Sequence, residues 1–142
     1  MKVFDMHHDI APRQALAQVA ITTATNTDCT QVDTAGFESL QFLFLFGVIA
    51  AGGVATIELH HSDTDGFTPS AETLVSTEET LGNTTIADTN DNLVGRIGYI
   101  GKSRYVVARI VSTTVNSIAV AAISVLGTPH HAPVADGPLA AQ

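Results

Sequence analysis

The sequence predicts an all-β protein, a single jelly-roll-like sandwich of about seven to eight antiparallel strands. Three observations predict it. Short runs rich in Val, Ile, Thr, Phe and Tyr alternate apolar with polar residues. Clusters of Gly, Asp, Asn, Ser and Thr separate those runs, and no stretch holds the 3.6-residue period of a long helix. At 142 residues the chain is long enough for one domain with a real core and too short for two. It divides into an N-terminal arm, 1–14, a β-sandwich domain, 15–127, and an extended C-terminal tail, 128–142.

Residues 1–14 carry His7, His8, Asp9, Pro12 and Arg13 with no period, which is the pattern of an arm that needs a partner surface. Residues 15–25 set Val19, Ile21 and Thr23 on one face and Gln18, Ala20 and Thr22 on the other, a half-buried first strand. The clearest strand is 37–48. One face reads Leu40, Phe42, Phe44, Phe46, and the other begins with Ser39 and Gln41 but turns apolar at Leu43 and Leu45. An antiparallel sheet normally shows water one of its faces, so a strand apolar on both sides implies a second covering surface. Leu43 and Leu45 are therefore candidate oligomer-interface residues.

Ala50, Ala51, Gly52 and Gly53 form a turn, after which 54–61 returns with Ala55, Ile57 and Leu59 inward and Thr56, Glu58 and His60 outward, as the hairpin partner of the preceding strand. Residues 62–66 are dense in turn formers. Ser70, following Pro69, is placed to cap a short helical turn over 70–75. A short strand is expected at 84–87, then a loop over 88–92. Two β-rich runs, 93–100 and 104–112, flank Gly101, Lys102 and Ser103 and read as a central hairpin, with Val106, Ala108 and Ile110 toward the core and Arg109 outward. Residues 117–126 make an Ala/Val/Ile strand. The tail beyond it is rich in Pro and Ala and is expected to be extended.

Composition narrows the function. The net charge is −8, and the six Lys and Arg are scattered, so no basic footprint for nucleic acid exists. The longest apolar run, 42–55, is broken by three glycines and falls short of the roughly 20 residues that span a bilayer as a helix, so no membrane partner is expected. The N-terminus lacks the apolar stretch of a secretory signal. Charged residues make up 14% of the chain, against about 25% in typical domains. A surface so poor in charge is best explained by burial against other copies, and a homo-oligomer is the expectation.

No chemistry-bearing constellation stands out. Cys29 is alone, which excludes an intrachain disulfide and thiolate zinc sites, and reads as a small buried residue. Three His pairs occur, His7/His8, His60/His61 and His130/His131, but neighbours on a strand point to opposite faces and cannot chelate one ion together. The Asp63/Asp65/Gly66 and Asp88/Asn90/Asp91/Asn92 loops lack the terminal bidentate Glu of a calcium loop and are explained by turn chemistry. Glu38 and Glu58 would form a paired-carboxylate site only if their strands were adjacent. Nucleophile-elbow, zinc-protease and phosphate-loop motifs are missing. The expectation is a non-enzyme with no catalytic, cofactor-binding or metal-binding residues and no cofactor.

Four segments, 32–40 (VDTAGFESL), 59–67 (LHHSDTDGF), 96–107 (RIGYIGKSRYVV) and 125–133 (VLGTPHHAP), together resemble a family of structural proteins of tailed-bacteriophage virions. His60 and His61 depart from its pattern, standing where acidic or polar residues are more usual. The resemblance implies a head decoration, or cement, protein: a trimer that binds the major capsid protein on the outer surface of the head, made in the host bacterial cytoplasm and located in the virion. In that role the apolar arm residues Val3, Phe4, Met6 and Ile10 would be the capsid-binding groups. A phage neck or tail component and a carbohydrate-binding β-sandwich are the alternative readings.

Overall fold

Alternation of apolar and polar side chains drives nearly the whole chain into strands, because a pleated strand with one apolar face is stable only when that face is packed on another sheet. The computed structural model describes residues 6–68, 72–114 and 116–130. Among them a one-turn helix, α1 (Met6–Asp9), precedes eleven strands. These are β1 (Ile10–Ile21), β2 (Asn26–Asp28), β3 (Val32–Asp33), β4 (Phe37–Ile49), β5 (Val54–Ser62), β6 (Thr73–Leu74), β7 (Thr80–Leu81), β8 (Thr85–Ala87), β9 (Val94–Tyr99), β10 (Tyr105–Ser112) and β11 (Ile118–Pro129). The expected all-β sandwich is correct. The strand number exceeds the expected seven to eight because five strands, β2, β3, β6, β7 and β8, are only two or three residues long.

One sheet, which we call the front sheet, runs β1-β11-β4-β9-β7. The back sheet runs β2-β10-β5-β6, with β3 also on β10 and β8 also on β5. All pairings are antiparallel. The order β1-β11-β4-β9 packed on β2/β3-β10-β5-β6/β8 is the doubled Greek key of a jelly roll, in which the chain changes sheet between most successive strands.

That topology corrects both expected hairpins. β4 and β5 lie in different sheets, as do β9 and β10. The links 50–53 and 100–104 cross the gap of roughly 10 Å between packed sheets, a distance that three or four extended residues cover. Glycine-containing links suit such a crossing as well as a tight turn. At Gly53 an added Cβ would lie 2.8 Å from Ile49 Cγ2 and 2.9 Å from the Ala50 carbonyl oxygen, and at Gly101 it would collide with the Tyr99 ring and hydroxyl.

Two boundaries move and one element changes type. Ile10 to Gln14, expected in the arm, are the opening of β1 and pair with β11 from Gly127 to Ile123. At the other end β11 continues to Pro129, past the expected start of the tail. The expected helical turn over 70–75 gives way to β6, whose Thr73 and Leu74 pair with His61 and His60; Ser70 itself lies outside the described residues. Val75 explains the outcome: its side chain is buried and its N–H donates to the Leu59 carbonyl at 2.8 Å, so the segment is zipped to the edge of β5.

The core lies between the sheets. Leu40, Phe42, Phe44 and Phe46 of β4 meet Ala55, Ile57 and Leu59 of β5 and Val106, Ala108 and Ile110 of β10, all buried. The three phenylalanine rings stack along β4 at 6.4 and 6.2 Å between centroids. Burying each large side chain contributes roughly 1.5–3 kcal/mol, which makes β4 the strand around which both sheets are fixed.

Candidate interaction surface

The outer face of the back sheet carries the charged residues. Asp28, Arg109 and Glu58 sit in one cross-strand row on β2, β10 and β5. Arg109 donates from Nε to Asp28 Oδ1 at 2.6 Å and from Nη2 to Asp28 Oδ2 at 3.1 Å, a two-pronged pair. His60 Nε2 lies 3.2 Å from Glu58 Oε2. The hydrogen bonds to Asp28 raise the Arg109 pKa, holding the guanidinium charged. Arg109 faces away from the core as expected, yet both it and His60 are buried, as are Tyr105 and Val107 of the same row of faces.

Gln31, just before β3, donates to Asp65 Oδ1 at 2.6 Å and accepts from the Gly66 N–H at 3.1 Å. Because β3 and β5 flank β10, this bond ties the turn after β5 to the segment before β3, bridging β10 near Tyr105 and Val106. The aspartate turn is thus a fastener. Its Asp63 accepts from the Arg104 N–H, and Arg104 in turn grips Asp33 at 2.8 and 2.9 Å. That hydrogen-bonded guanidinium lowers the Asp33 pKa to about 2.

The second aspartate loop also serves the backbone. Asp88 and Asp91 accept from the N–H groups of Gly52 and Ile49, at 2.9 and 2.7 Å, and so lock the crossing from β4 to β5. Among the described residues no three His, Cys, Asp or Glu side chains gather where they would hold a metal. His60 and His61 point to opposite faces, and His61 Nδ1 lies 2.9 Å from the Tyr99 hydroxyl, which also accepts from the Ser103 N–H. Burial raises the Tyr99 pKa and the Cys29 thiol, the latter to about 12 with Asp28 as the second cause. Glu38 and Glu58 do not form a pair, because β4 and β5 are in different sheets; Glu38 lies 3.6 Å from His130 Nε2 instead.

The outer face of the front sheet is the opposite case. Cross-strand rows set Val94 beside Leu45 and Ala121, then Arg96 beside Leu43 and Ile123, then Gly98 beside Gln41 and Val125. On β1 this face continues with Pro12, Gln14 and Ala20, and on β7 with Leu81. Arg96 is its one charged side chain among the described residues of these strands, and it makes no ion pair with any of them. Leu45 is 47% exposed, Leu81 52% and Val94 68%, and Leu43 is half-buried. Over Gly98, between Gln41, Arg96 and Leu81, lies a groove of about 420 Å³. The two candidate interface residues, Leu43 and Leu45, therefore stand in the middle of a largely apolar sheet face whose one charge among the described residues of these strands is Arg96.

Of the candidate capsid-binding residues, Val3 and Phe4 lie outside the described residues. Met6 on α1 is exposed, and Ile10 is half-buried at the start of β1. Sequence reasoning missed the Asp28–Arg109 and Asp33–Arg104 pairs, which join residues 81 and 71 positions apart. The odd position of Arg109 in an otherwise apolar run was the available signal for the first.

No family model matches the chain, and no curated protein does. Among solved structures the chain is similar to the SPBc2 prophage-derived protein YomS, at 12% identity and a TM-score of 0.43 over 87% of this chain and 99% of that one. It is similar also to a chain of Triatoma virus, at 10% identity and a TM-score of 0.46 over 95% and 73%. A third likeness is to VP2 of the infectious bursal disease virus subviral particle, at 12% identity and a TM-score of 0.32 over 84% and 41%. Likenesses this distant carry no functional argument.

Proposed function

We propose that this chain is a non-enzymatic virion structural protein that self-associates, as a trimer, and decorates the outer surface of a tailed-phage head by binding the major capsid protein. The observation that carries the reading is the front-sheet face: five strands wide, apolar around Leu43 and Leu45, with Arg96 as its one charge among the described residues. In a chain of net charge −8 this face departs from the rest of the surface, and contiguous exposed apolar patches mark contact sites. The jelly roll is a fold of viral capsid and lectin domains alike, so fold does not choose between them. The surface favours the former. A sugar site wants exposed aromatic rings, and among the described residues the exposed large apolar side chains carry none. The capsid as partner rests on the four-segment sequence resemblance, with Val3, Phe4, Met6 and Ile10 as the groups that contact it.

The test is binding of the purified, labelled protein to phage heads that lack it. Decoration of the head is expected, weakened by Phe4→Ser with Met6→Ser while the oligomer stays intact. Labelling of the neck or tail, or no binding to particles at all, would sink the decoration reading.

A further inference from the structure

Six basic side chains serve a chain with 14 acidic ones, so it matters what each of the six does. Arg104 and Arg109 are held by Asp33 and Asp28, Arg13 lies near enough to Asp33 to help lower its pKa, and Lys2 is outside the described residues. Arg96 and Lys102 remain, and neither makes an ion pair among the described residues. Both line grooves at one end of the front sheet. Arg96 borders the groove of about 420 Å³ over Gly98, and Lys102 borders a second, of about 280 Å³, beside Thr34 and Glu38. The two grooves share Ser39, Leu40 and Tyr99, so they adjoin where Leu40 of β4 pairs with Tyr99 of β9. Glu38 stands in the second groove, but its carboxylate lies 3.6 Å from His130 and not against Lys102.

The joined site is elongated. Arg96 and Lys102 are six positions apart, up to about 20 Å along an extended chain. Between them Gly98 presents no side chain, and a Cβ there would lie 3.3 Å from Leu81 Cβ, so the track is open because this residue is glycine. Leu81 and the exposed Ile100 supply apolar walls, and Ser39 and Gln41 supply hydrogen-bonding side chains. One small anion would reach only one of the two cations. An extended polypeptide with two carboxylates reaches both. We infer that this double groove takes an extended acidic segment of another protein, lying along β9 with one carboxylate at Arg96 and one at Lys102. A second copy is not the occupant, because the acidic stretches it would offer are folded into turns. Asp63 and Asp65 belong to the fastener, Asp88 and Asp91 hold backbone N–H groups, and Glu79 closes a turn back onto Ser76. The inference goes beyond the self-association proposed above and does not rest on it.

The probe is a synthetic peptide, acetyl-Glu-Thr-Val-Thr-Val-Thr-Glu-amide, titrated into the isotope-labelled full chain and followed by amide NMR. The same peptide with Gln in place of both Glu is the control. Shifts centred on Gly98 and Gly101 are expected with the Glu peptide, and binding should weaken several-fold as salt is raised to about 0.5 M. Arg96→Gln combined with Lys102→Gln should weaken it roughly tenfold. Both side chains are exposed, so the double variant is expected to melt with the wild type. The salt series and the Gln control use only the wild-type chain, so they decide the matter even if the double variant misfolds. No shifts at millimolar Glu peptide, a Gln peptide that binds as well, or full binding by a folded double variant would overturn the inference. Self-association is read separately, by mass, so the two proposals fail independently.

Discussion

The two exterior faces of this sandwich invert the usual relation between polarity and burial. The back sheet displays an aspartate, an arginine, a glutamate and a histidine outward, yet the arginine and histidine are buried. The front sheet displays Leu, Val, Ile and Ala outward, and no described segment covers them. Arg109 is paired with Asp28 and His60 Nε2 lies beside Glu58, which leaves His60 Nδ1 as the buried side-chain atom without a hydrogen-bond partner among the described residues. Aliphatic groups have no such internal remedy. Only a second surface would remove them from water, and this difference is why the front face is the place to look for assembly.

The largest effect is expected where the two faces share a foundation. Phe44→Ala opens a cavity beneath β4 and should cost about 3–5 kcal/mol, read by chemical denaturation, because Phe42 and Phe46 stack on either side and the site cannot collapse freely. Next is the contrast itself. Asp28→Ala removes the two-pronged partner of the buried Arg109 guanidinium and should cost about 2 kcal/mol, less than for a fully buried pair because the Asp28 side chain is 40% exposed. Leu45→Ser on the bare face should change monomer stability by less than about 0.5 kcal/mol. Equal losses at the two positions would remove the distinction drawn between the faces.

Much of this contrast was legible in the sequence. Leu43 and Leu45 break the polar half of an otherwise regular alternation, and that break alone marked the second apolar face. The connectivity was not legible. Links such as 50–53 and 100–104 contain the same glycines whether they close a hairpin or cross between sheets, and the choice is made by strands far away in sequence, β11 inserting between β1 and β4 and β10 inserting between β5 and β2. The fastener across β10 was hidden for the same reason. Asp65 reads as an ordinary turn residue until Gln31, 34 positions earlier, is brought beside it. Likewise Thr73 and Leu74 read as a helical turn because nothing local reveals the free edge of β5 that recruits them.

The smallest effect sharpens the account of the fastened end. The Asp33 pKa is lowered to about 2, chiefly by its hydrogen bonds from Arg104, so the native state favours the carboxylate. The stability this adds is present above the ordinary Asp value of about 3.9 and is lost as pH falls from there through about 2. Both side chains are substantially exposed, so the contribution is small. Denaturation midpoints measured between pH 5 and pH 2 on that scale should fall slightly more steeply for the wild type than for Arg104→Gln. Identical slopes would show that the pair adds nothing to folding.

The most direct test of the central claim, that the bare front face is a self-association surface, is the solution mass of the wild type and of Leu45→Glu at micromolar concentration by light scattering. A trimer for the wild type and a folded monomer for Leu45→Glu are predicted, because a buried carboxylate without a partner is not tolerated in an apolar contact. A soluble wild-type monomer, or an oligomer that keeps its mass when Leu45 becomes Glu, would contradict the account.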